Sequence, residues 1–402
     1  MRVVVLLSAL ALSACATVPD RNAGTPVAEV GVAFDRSGEI ASVADGLADP
    51  SNGRRMTPDD PARVASVSKL VVAIGVMKLV EDGRLDLDSD VSQRLGWRLR
   101  NPAFPDRPVT LRQLLSHTSS VRDHDDQYAI PLGETVEAAM ADPRSWDGRH
   151  GPGGGYFTYA NMNFPIIGSL IERATGERFD VWIRREVLDP MRIDACYNWP
   201  TCSDEAVARA VVLMQDGKAV RDDLAGKRPE CPVFVRDGQA CDLKRWTLGT
   251  NGALFAPQGG LRISARGLAR VGRMLLGEGT LDGVRILSPQ SVDALLTQVW
   301  RFDGSNGVTE KGYYCSFGLA SQQIPILRPG CADDPGTGGA EFVGHSGDAY
   351  GLRSGVWIDR RRGIGIAYFV TGLAEKPPLG RGTAFAAAEA DAFRRTLGLV
   401  AR

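Results

Sequence analysis

The chain has 402 residues, of which 44% are hydrophobic and 24% charged, and its formal net charge is −1. This is an ordinary globular composition, and the length suits one large domain or two smaller ones. A sequence pI near 6.5 lacks the basic excess typical of nucleic-acid binding, so we expect no nucleic-acid partner. No apolar run reaches the roughly 18 residues of a membrane-spanning helix.

The N-terminal residues predict an export signal. Arg2 is followed by an apolar run from Val3 to Leu12 and then by small residues that end at Cys15. This pattern is typical of a secretory signal, and its end resembles the lipobox of bacterial lipoproteins, in which the cysteine is lipidated. We therefore expect residues 1–14 to be removed, and residues 15–26, beginning at a lipidated Cys15, to form a tether. The alternative is a plain signal peptide with an incidental cysteine.

The lipobox resemblance also implies a location. The residue after Cys15 is alanine rather than aspartate, and in lipoproteins this implies sorting to the outer membrane. We therefore expect a protein of the bacterial cell envelope that faces the periplasm and contacts the membrane through its lipid anchor. The folded domain would then comprise residues 27–398.

The first folded segments are a hairpin and a buried helix. Residues 27–44 alternate around the turn Asp35–Gly38, a pattern that predicts a β-hairpin. Residues 65–81 are apolar at nearly every position after Ser68, so we expect a helix buried on most of its circumference. Asp82-Gly83 provides a stop signal for this helix.

The middle of the chain, roughly residues 85–250, is predicted to be rich in helix. Residues 110–116 form a capped helix with Thr110 as N-cap and Gln113 at the capping-box position. Residues 165–175 and 179–188 are amphipathic helices. Residues 200–250 have no clear period, and we expect them to form a disulfide-stapled insertion over the functional site.

The C-terminal part combines helices and strands. Ser264 is the expected N-cap of a helix over residues 264–276. Residues 351–371 read as two strands around the turn at residues 359–363, and residues 383–397 as a terminal helix. Strands at both ends with helices between them predict an α+β fold: an antiparallel sheet flanked by helices and interrupted by the α-rich subdomain.

Six cysteines remain after Cys15: Cys196, Cys202, Cys231, Cys241, Cys315 and Cys331. An even number in an exported chain predicts disulfides, for which fifteen connectivities are possible. We expect sequential pairing, which closes short local loops. A metal site is the competing interpretation, but no cysteine pair has the spacing of a zinc knuckle and the four histidines are scattered. We expect no metal and no cofactor.

Ser66 and Lys69 are the first candidates for chemistry. They are three residues apart, so they share a face at the start of the predicted helix. A buried lysine is rare without a partner or a function. To act as a base for the serine near pH 7, its pKa must fall by roughly 3 units from about 10.4. The Ser-x-x-Lys pattern also occurs often by chance.

Two further segments raise the significance of this pair. In Tyr159-Ala160-Asn161, a tyrosine phenolate beside a lysine ammonium is a credible general base, and the Asn161 amide could orient Lys69 or a substrate carbonyl. A buried tyrosine followed by an asparagine turn is the alternative. Further on, His345-Ser346-Gly347 precedes the C-terminal strands, and a glycine there lets a substrate backbone approach closely. The alternative for this segment is a polar turn.

The three segments in this order resemble the serine β-lactamase and penicillin-binding-protein family, and in particular its branch of class C β-lactamases, D-amino-acid-specific peptidases and carboxylesterases. Further support comes from residues 63–69, 114–119 and 259–265, and the resemblance extends over roughly residues 27 to 398. It implies a β-lactamase/transpeptidase-like fold. It bears on the fold and the catalytic apparatus rather than on the identity of the substrate.

The resemblance also implies a role for each site residue. Ser66 forms the acyl-enzyme, while Lys69 and Tyr159 move protons and Tyr159 activates the deacylating water. The backbone N–H groups of Ser66 and Asp348 would form the oxyanion hole. Asn161, His345, Ser346, Gly347 and Asp348 are thus the expected substrate-binding residues.

The sequence departs from the family pattern at His345, where β-lactamases and transpeptidases usually have a lysine that helps to hold a substrate carboxylate. A histidine is mostly neutral at pH 7, and this residue is commoner among the esterase and peptidase relatives. Arg353 could still hold a carboxylate, although we expect it to be a solvated strand charge. We expect His117 and His124 to be structural.

These observations predict a serine hydrolase that cleaves a small-molecule ester, an amide or a peptidoglycan-like D-peptide bond through an acyl-Ser66 intermediate. A class C-type β-lactamase is the first alternative. The second is a non-hydrolytic acyl-binding or structural penicillin-binding-like protein. The intact set Ser66, Lys69 and Tyr159 argues against the second. No Gly-x-Ser-x-Gly elbow, His-Glu-x-x-His motif or P-loop is present.

Overall fold

The computed structural model describes residues 26–400. The export signal, Cys15 and the tether up to residue 25 lie outside the described residues. Among residues 26–400, no helix combines the length and hydropathy needed to cross a membrane, and no cluster of three or more His, Cys, Asp or Glu side chains is arranged to hold a metal ion.

The strands, in chain order, are β1 (Ala28–Asp35), β2 (Glu39–Asp49), β3 (Arg54–Arg55), β4 (Ala62–Arg63), β5 (Cys196–Tyr197), β6 (Leu213–Gln215), β7 (Lys218–Arg221), β8 (Leu261–Ile263), β9 (Thr280–Leu281), β10 (Val284–Arg285), β11 (Trp300–Arg301), β12 (Ser316–Phe317), β13 (Gln322–Ile324), β14 (Phe342–Ala349), β15 (Leu352–Asp359) and β16 (Ile364–Thr371). The α-helices are α1 (Ser68–Glu81), α2 (Ser92–Leu95), α3 (Leu111–Leu115), α4 (Val136–Met140), α5 (Asn163–Thr175), α6 (Phe179–Ile183), α7 (Asp204–Ala208), α8 (Ala265–Leu276), α9 (Pro289–Leu296) and α10 (Ala387–Leu397). Short 3₁₀ turns cover Ala65–Val67, Pro143–Ser145 and Leu243–Arg245, and a π-helical segment covers Arg184–Leu188.

Nine strands form one antiparallel sheet in the order β11-β12-β13-β14-β15-β16-β1-β2-β3. The sheet joins both ends of the chain, because the first strand β1 pairs with the last strand β16 from Ala28↔Thr371 to Asp35↔Ile364. A hydrophobic cluster with α10 covers one face, and the larger core with α1 and α8 covers the other. The predicted antiparallel α+β architecture is confirmed.

Helix α1 is buried along nearly its whole length, as its apolar pattern predicts. At Gly75 an added Cβ would lie 2.4 Å from the Ile183 side chain, which explains a glycine inside this helix. The helix is followed by Gly83 at φ +67°, where glycine is favoured. The predicted start was wrong: Ala65–Val67 is a 3₁₀ turn and the α-helix begins at Ser68.

The capping predictions are confirmed. Thr110 and Gln113 form a capping box at the start of α3, and Ser264 accepts the Gly267 N–H at the start of α8. The terminal helix begins at Ala387 rather than at Thr383, because Ala386 is extended at ψ 145°. The helix predicted over residues 179–188 is α6 followed by the π-helical segment.

Three disulfides close short loops, Cys196–Cys202, Cys231–Cys241 and Cys315–Cys331. This confirms the sequential pairing expected from the sequence. The segment 200–250 contains α7 and the β6–β7 hairpin. It lines a cavity that shares Arg63, Tyr128, Gln258 and Tyr350 with the cleft described below. The segment therefore lies next to the site, and its position over the site stays a prediction.

Candidate active site

Ser66 lies in the 3₁₀ turn that leads into α1, at the floor of a cleft of about 760 Å³. The preceding residue, Ala65, has φ +48°, a left-handed conformation that costs energy for a residue with a Cβ. Ser68 holds the turn in place: its hydroxyl donates to the Ala65 carbonyl at 2.6 Å and accepts the Leu261 N–H at 3.0 Å. Strain next to a candidate nucleophile is typical of a functional site.

Lys69 is fully buried in the first turn of α1, and its Nζ has three neighbours. These are Ser66 Oγ at 2.9 Å, Asn161 Oδ1 at 2.8 Å and the Gln258 carbonyl oxygen at 2.7 Å. The amide and carbonyl oxygens can only accept hydrogen bonds, so each of them accepts one N–H of Nζ. The third direction of Nζ then faces the Ser66 hydroxyl.

Burial lowers the pKa of Lys69 to about 7, while the carboxyl group of Asp123 opposes the shift. The apolar surroundings of α1 disfavour the charged ammonium. Near neutral pH a large fraction of Lys69 therefore carries a lone pair, which lies in the direction of Ser66 Oγ. The lowered pKa of Lys69 thus meets the requirement, stated in the sequence analysis, for a lysine that acts as a base for the serine near pH 7.

Tyr159 lies in the loop before α5 and lines the cleft. Its ring stacks between His117, at 4.2 Å between ring centroids, and Tyr314, at 4.6 Å, and Lys69 Nζ is 5.0 Å from its ring centroid. Burial raises the pKa of Tyr159, and the nearby Ser66 and Tyr314 hydroxyls lower it only partly. The expected phenolate–ammonium pair is therefore wrong for the free protein, which favours a protonated tyrosine beside a partly neutral lysine.

Asp123 is a site residue that the sequence analysis missed. Its carboxylate accepts the backbone N–H groups of Asn161 at 2.7 Å and Met162 at 3.0 Å. These bonds fix the loop that presents both Tyr159 and Asn161 to Lys69. No local motif marks Asp123, because the contact joins residues 38 positions apart.

His117 supports the same loop, and its structural role agrees with expectation. Its Nδ1 accepts the Ala160 N–H at 3.1 Å and faces the Asn163 amide at 3.0 Å, so the proton of the neutral ring is on Nε2. Burial, with the nearby Lys69 charge, lowers the pKa of His117. His124 makes a contact with Ser145 Oγ at 3.1 Å and does not line the cleft.

Strand β14 brings Ser346, Gly347 and Asp348 to the cleft wall. An added Cβ at Gly347 would lie 2.3 Å from the Val64 carbonyl oxygen and 3.1 Å from the Ser66 nitrogen. Only glycine therefore lets this strand approach the Ser66 turn so closely. Strand β13 pairs with β14 only at Phe342–Gly344, so the segment beside Ser66 has no β13 partner along that edge.

His345 is fully buried next to the site rather than exposed in the cleft. Its Nδ1 donates to the Ser346 carbonyl at 2.5 Å, and its ring centroid is 6.4 Å from that of Tyr159. Burial, together with the Lys69 charge, lowers the pKa of His345 to about 3. The residue is therefore neutral and offers no cation to a substrate.

Arg353 is not the solvated strand charge that the sequence suggested. It lies on β15 directly opposite Asp348 on β14, lines the cleft, and its side chain is only 11% exposed. Its guanidinium donates to the Asp348 carboxylate and to the Leu352 carbonyl. The cross-strand register, which the sequence does not reveal, creates this ion pair.

Ser66, Lys69 and Tyr159 converge beside strand β14 of an antiparallel sheet with helices on both faces, an arrangement typical of serine hydrolases of the β-lactamase type. Residues 16–391 match the family described as Beta-lactamase, and the chain belongs to this family.

Curated relatives cover part of the chain. Penicillin-binding protein 4 of Amycolatopsis lactamdurans is 28% identical over 263 residues, which cover 65% of this chain and 63% of that protein. Esterase EstB of Burkholderia gladioli is 31% identical over 222 residues, which cover 50% of this chain and 51% of that protein. The chain thus spans between half and two thirds of the length of these relatives.

Solved structures share the fold over nearly the whole chain. D-amino acid amidase from Ochrobactrum anthropi SV3, complexed with D-phenylalanine, has a TM-score of 0.65 at 19% identity and 94% coverage of both chains. A class C β-lactamase from Rhodobacter sphaeroides has a TM-score of 0.65 at 14% identity, with 94% of this chain and 95% of that chain covered. At these identities the similarity shows the fold alone.

Proposed function

We propose that the protein is a serine acyl hydrolase that cleaves an ester or a D-peptide-like amide bond through an acyl-Ser66 intermediate. The contact between Lys69 Nζ and Ser66 Oγ at 2.9 Å carries the proposal. The other two neighbours of Nζ accept its N–H groups, so the neutral amine has its lone pair available for the serine proton.

In the acylation step, Ser66 Oγ attacks the substrate carbonyl carbon while its proton passes to Lys69 Nζ. The negative charge on the carbonyl oxygen would be stabilised by the backbone N–H groups of Ser66 and Asp348, each worth about 3–4 kcal/mol in comparable sites. The C–O or C–N bond of the substrate then breaks. The proton returns from Lys69, relayed by the Tyr159 hydroxyl, to the departing alcohol or amine.

Deacylation reverses these proton movements. A water molecule attacks the acyl-Ser66 carbonyl carbon, and its proton passes through Tyr159 to Lys69. Collapse of the intermediate releases the carboxylic acid, and Ser66 recovers its proton. Asn161 keeps Lys69 oriented during both steps, since it holds Nζ at 2.8 Å.

Two observations support an esterase or amidase rather than the alternative of a class C-type β-lactamase. The neutral His345 replaces the cation that β-lactamases use for a substrate carboxylate, and Arg353 is already paired with Asp348. The curated relatives also include a protein named as an esterase. The non-hydrolytic alternative does not explain why Ser66, Lys69 and Tyr159 converge.

The cellular location remains part of the proposal. We propose a protein of the cell envelope, lipidated at Cys15 and facing the periplasm from the outer membrane. The leader sequence supports it, and three disulfides agree with an oxidising compartment. Incorporation of labelled palmitate into wild type, but not into Cys15→Ser, would test the lipidation.

The activity is tested with purified wild type and Ser66→Ala on p-nitrophenyl butyrate, a D-alanine p-nitroanilide and nitrocefin. We expect wild type to hydrolyse the ester or the D-amide much faster than nitrocefin, and Ser66→Ala to be inactive. Rapid nitrocefin turnover would instead favour a β-lactamase. The absence of both turnover and a covalent adduct with all of these compounds would contradict the enzyme proposal.

A further inference from the structure

Glu389 is a buried carboxyl group in the wall of the Ser66 cleft. It lies near the start of α10, lines the cleft and is only 1% exposed. Among residues 26–400, no hydrogen-bond partner is found for its buried Oε1 atom. A buried carboxyl oxygen without a partner is costly, so it requires a physical explanation.

Arg353 is the cation that acts most strongly on Glu389, while Lys311 and Lys376 line the same cleft. Arg353 on β15 lowers the pKa of Glu389 and Asp348 on β14 raises it. The Tyr368 hydroxyl and the Ala386 N–H also lower it, although neither makes a hydrogen bond of ordinary geometry to Oε1. Arg353 is already engaged with Asp348 and the Leu352 carbonyl. The guanidinium of Arg353, already paired with Asp348, therefore lies near a second carboxyl group, that of Glu389.

Burial raises the pKa of Glu389 to about 8, against the opposing effect of Arg353. Without a ligand the carboxyl group is therefore largely protonated at neutral pH. A cation placed beside it would favour the ionised form and would occupy the oxygen that has no partner. An anion would have to compete with the Asp348 carboxylate for Arg353.

We propose that Glu389 is a specificity-determining residue that binds the positively charged group, an ammonium, of the ester or amide substrate. This inference rests on the proposed hydrolase function and narrows its substrate class. A carboxylate-bearing substrate would be disfavoured at the same position. The interaction is a charge-assisted hydrogen bond, which is stronger than a neutral one.

A structural role is the competing explanation. The buried Trp357 Nε1 and Tyr368 hydroxyl also lack hydrogen-bond partners among the described residues. Both would lie within 3 Å of a Cβ added at Gly355, at 2.4 and 2.8 Å. A water molecule bound there could serve these groups and Glu389 together, in which case Glu389 would not discriminate between substrates.

The test compares cationic and neutral substrates of the same shape. One pair places the charge in the acyl group, with the methyl esters of D-alanine and isobutyric acid. The other pair places it in the alcohol, with 2-(dimethylamino)ethyl acetate, which is protonated at neutral pH and carries one N–H, and its neutral isostere 3-methylbutyl acetate. The ratio of kcat/KM for the cationic to the neutral ester is measured in wild type, Glu389→Gln and Glu375→Gln. Glu375 is an exposed carboxylate at the cleft rim and provides the matched control.

We expect Glu389→Gln to lower the ratio at least about tenfold for one of the pairs, and Glu375→Gln to keep the wild-type ratio. An unchanged ratio in Glu389→Gln for both pairs, with the neutral esters still hydrolysed, would overturn the inference and leave the hydrolase function intact. If wild type hydrolyses no ester or amide, the proposed function itself fails.

A measurement on wild type alone covers the possibility that Glu389→Gln does not fold. Phenylboronic acids react reversibly with nucleophilic serines, and their ring can carry an aminomethyl, a methyl or a carboxyl group. We expect the aminomethyl compound to inhibit with a Ki at least about tenfold below that of the carboxyl compound. The opposite order would contradict the inference.

Discussion

Lys69→Met tests whether the buried lysine has a lowered pKa in the folded protein. The pKa falls from 10.5 to about 7 because burial disfavours the ammonium. One pKa unit is worth about 1.4 kcal/mol, so the buried lysine destabilises the fold by about 4 kcal/mol at pH 7. Methionine has a similar length and carries no charge. Replacing Lys69 with methionine should therefore remove both this cost and the catalytic base.

The sign of the pH dependence follows from proton binding. Between pH 7 and about 10.5 the unfolded chain binds more protons at Lys69 than the folded protein does, so stability rises with pH in this window. At pH 9.5 the remaining cost is about 1.5 kcal/mol. The stability of wild type relative to Lys69→Met should therefore increase by about 3 kcal/mol from pH 7 to 9.5.

The assay is urea denaturation of both proteins at the two pH values. Methionine cannot make the hydrogen bonds of Lys69 to Asn161 and Gln258. Their loss affects the difference in unfolding free energy between the two proteins at each pH, but it hardly affects how that difference changes with pH. Lys78→Met is the control, since Lys78 is only half-buried near the other end of α1 and should give a much smaller change. A change below about 0.5 kcal/mol for Lys69→Met would mean that Lys69 keeps its ordinary pKa, and the reasoning would be wrong.

Three further predictions concern catalysis and packing. Tyr159→Phe should lower kcat about 10²–10⁴-fold, measured by ester hydrolysis. It should preserve the melting temperature, measured by thermal denaturation, because the Tyr159 hydroxyl is buried without a hydrogen bond of ordinary geometry among the described residues. Gly347→Ala should reduce kcat/KM at least about tenfold and lower stability by about 1–3 kcal/mol, because its Cβ would meet the Val64 carbonyl oxygen at 2.3 Å. Finally, kcat/KM for a neutral ester should fall about tenfold per pH unit below about pH 7, because the protonated Lys69 cannot accept the serine proton.

Each of these predictions has a control or a contradicting result. Gly38→Ala is the control for Gly347→Ala, because nothing lies within 4 Å of an added Cβ at Gly38. A Gly347→Ala enzyme with normal activity would show that β14 does not need its close approach to the Ser66 turn. Full activity in Tyr159→Phe would exclude the proton relay, and a rate independent of pH between 5 and 8 would exclude Lys69 as the base.

The sequence predicts the parts of the site that depend on local spacing. Ser66 and Lys69 are one turn apart, so their contact requires only the start of α1. The burial of that helix also follows from its composition, and burial accounts for the lowered pKa of Lys69. Short loops between neighbouring cysteines likewise make sequential disulfides predictable.

The remaining features depend on contacts between distant parts of the chain. Arg353 is paired because the register of β14 and β15 places it opposite Asp348, and one strand alone does not reveal that register. The carboxylate of Asp123 reaches the Asn161 loop only in the folded protein. The protonated state of Tyr159 depends on the rings of His117 and Tyr314 that enclose it. Glu389 lies on a helix that packs behind the cleft, and nothing in its neighbouring sequence indicates a site.

The central claim is that Ser66 captures the acyl group of the substrate. Intact-protein mass spectrometry after mixing with p-nitrophenyl butyrate or a fluorescent penicillin, with quenching in acid, tests it most directly. We predict a mass increase equal to one acyl group, located by proteolysis on the peptide that contains Ser66 and absent from Ser66→Ala. An adduct of the same size on Ser66→Ala, or substrate turnover by that variant at the wild-type rate, would contradict the account.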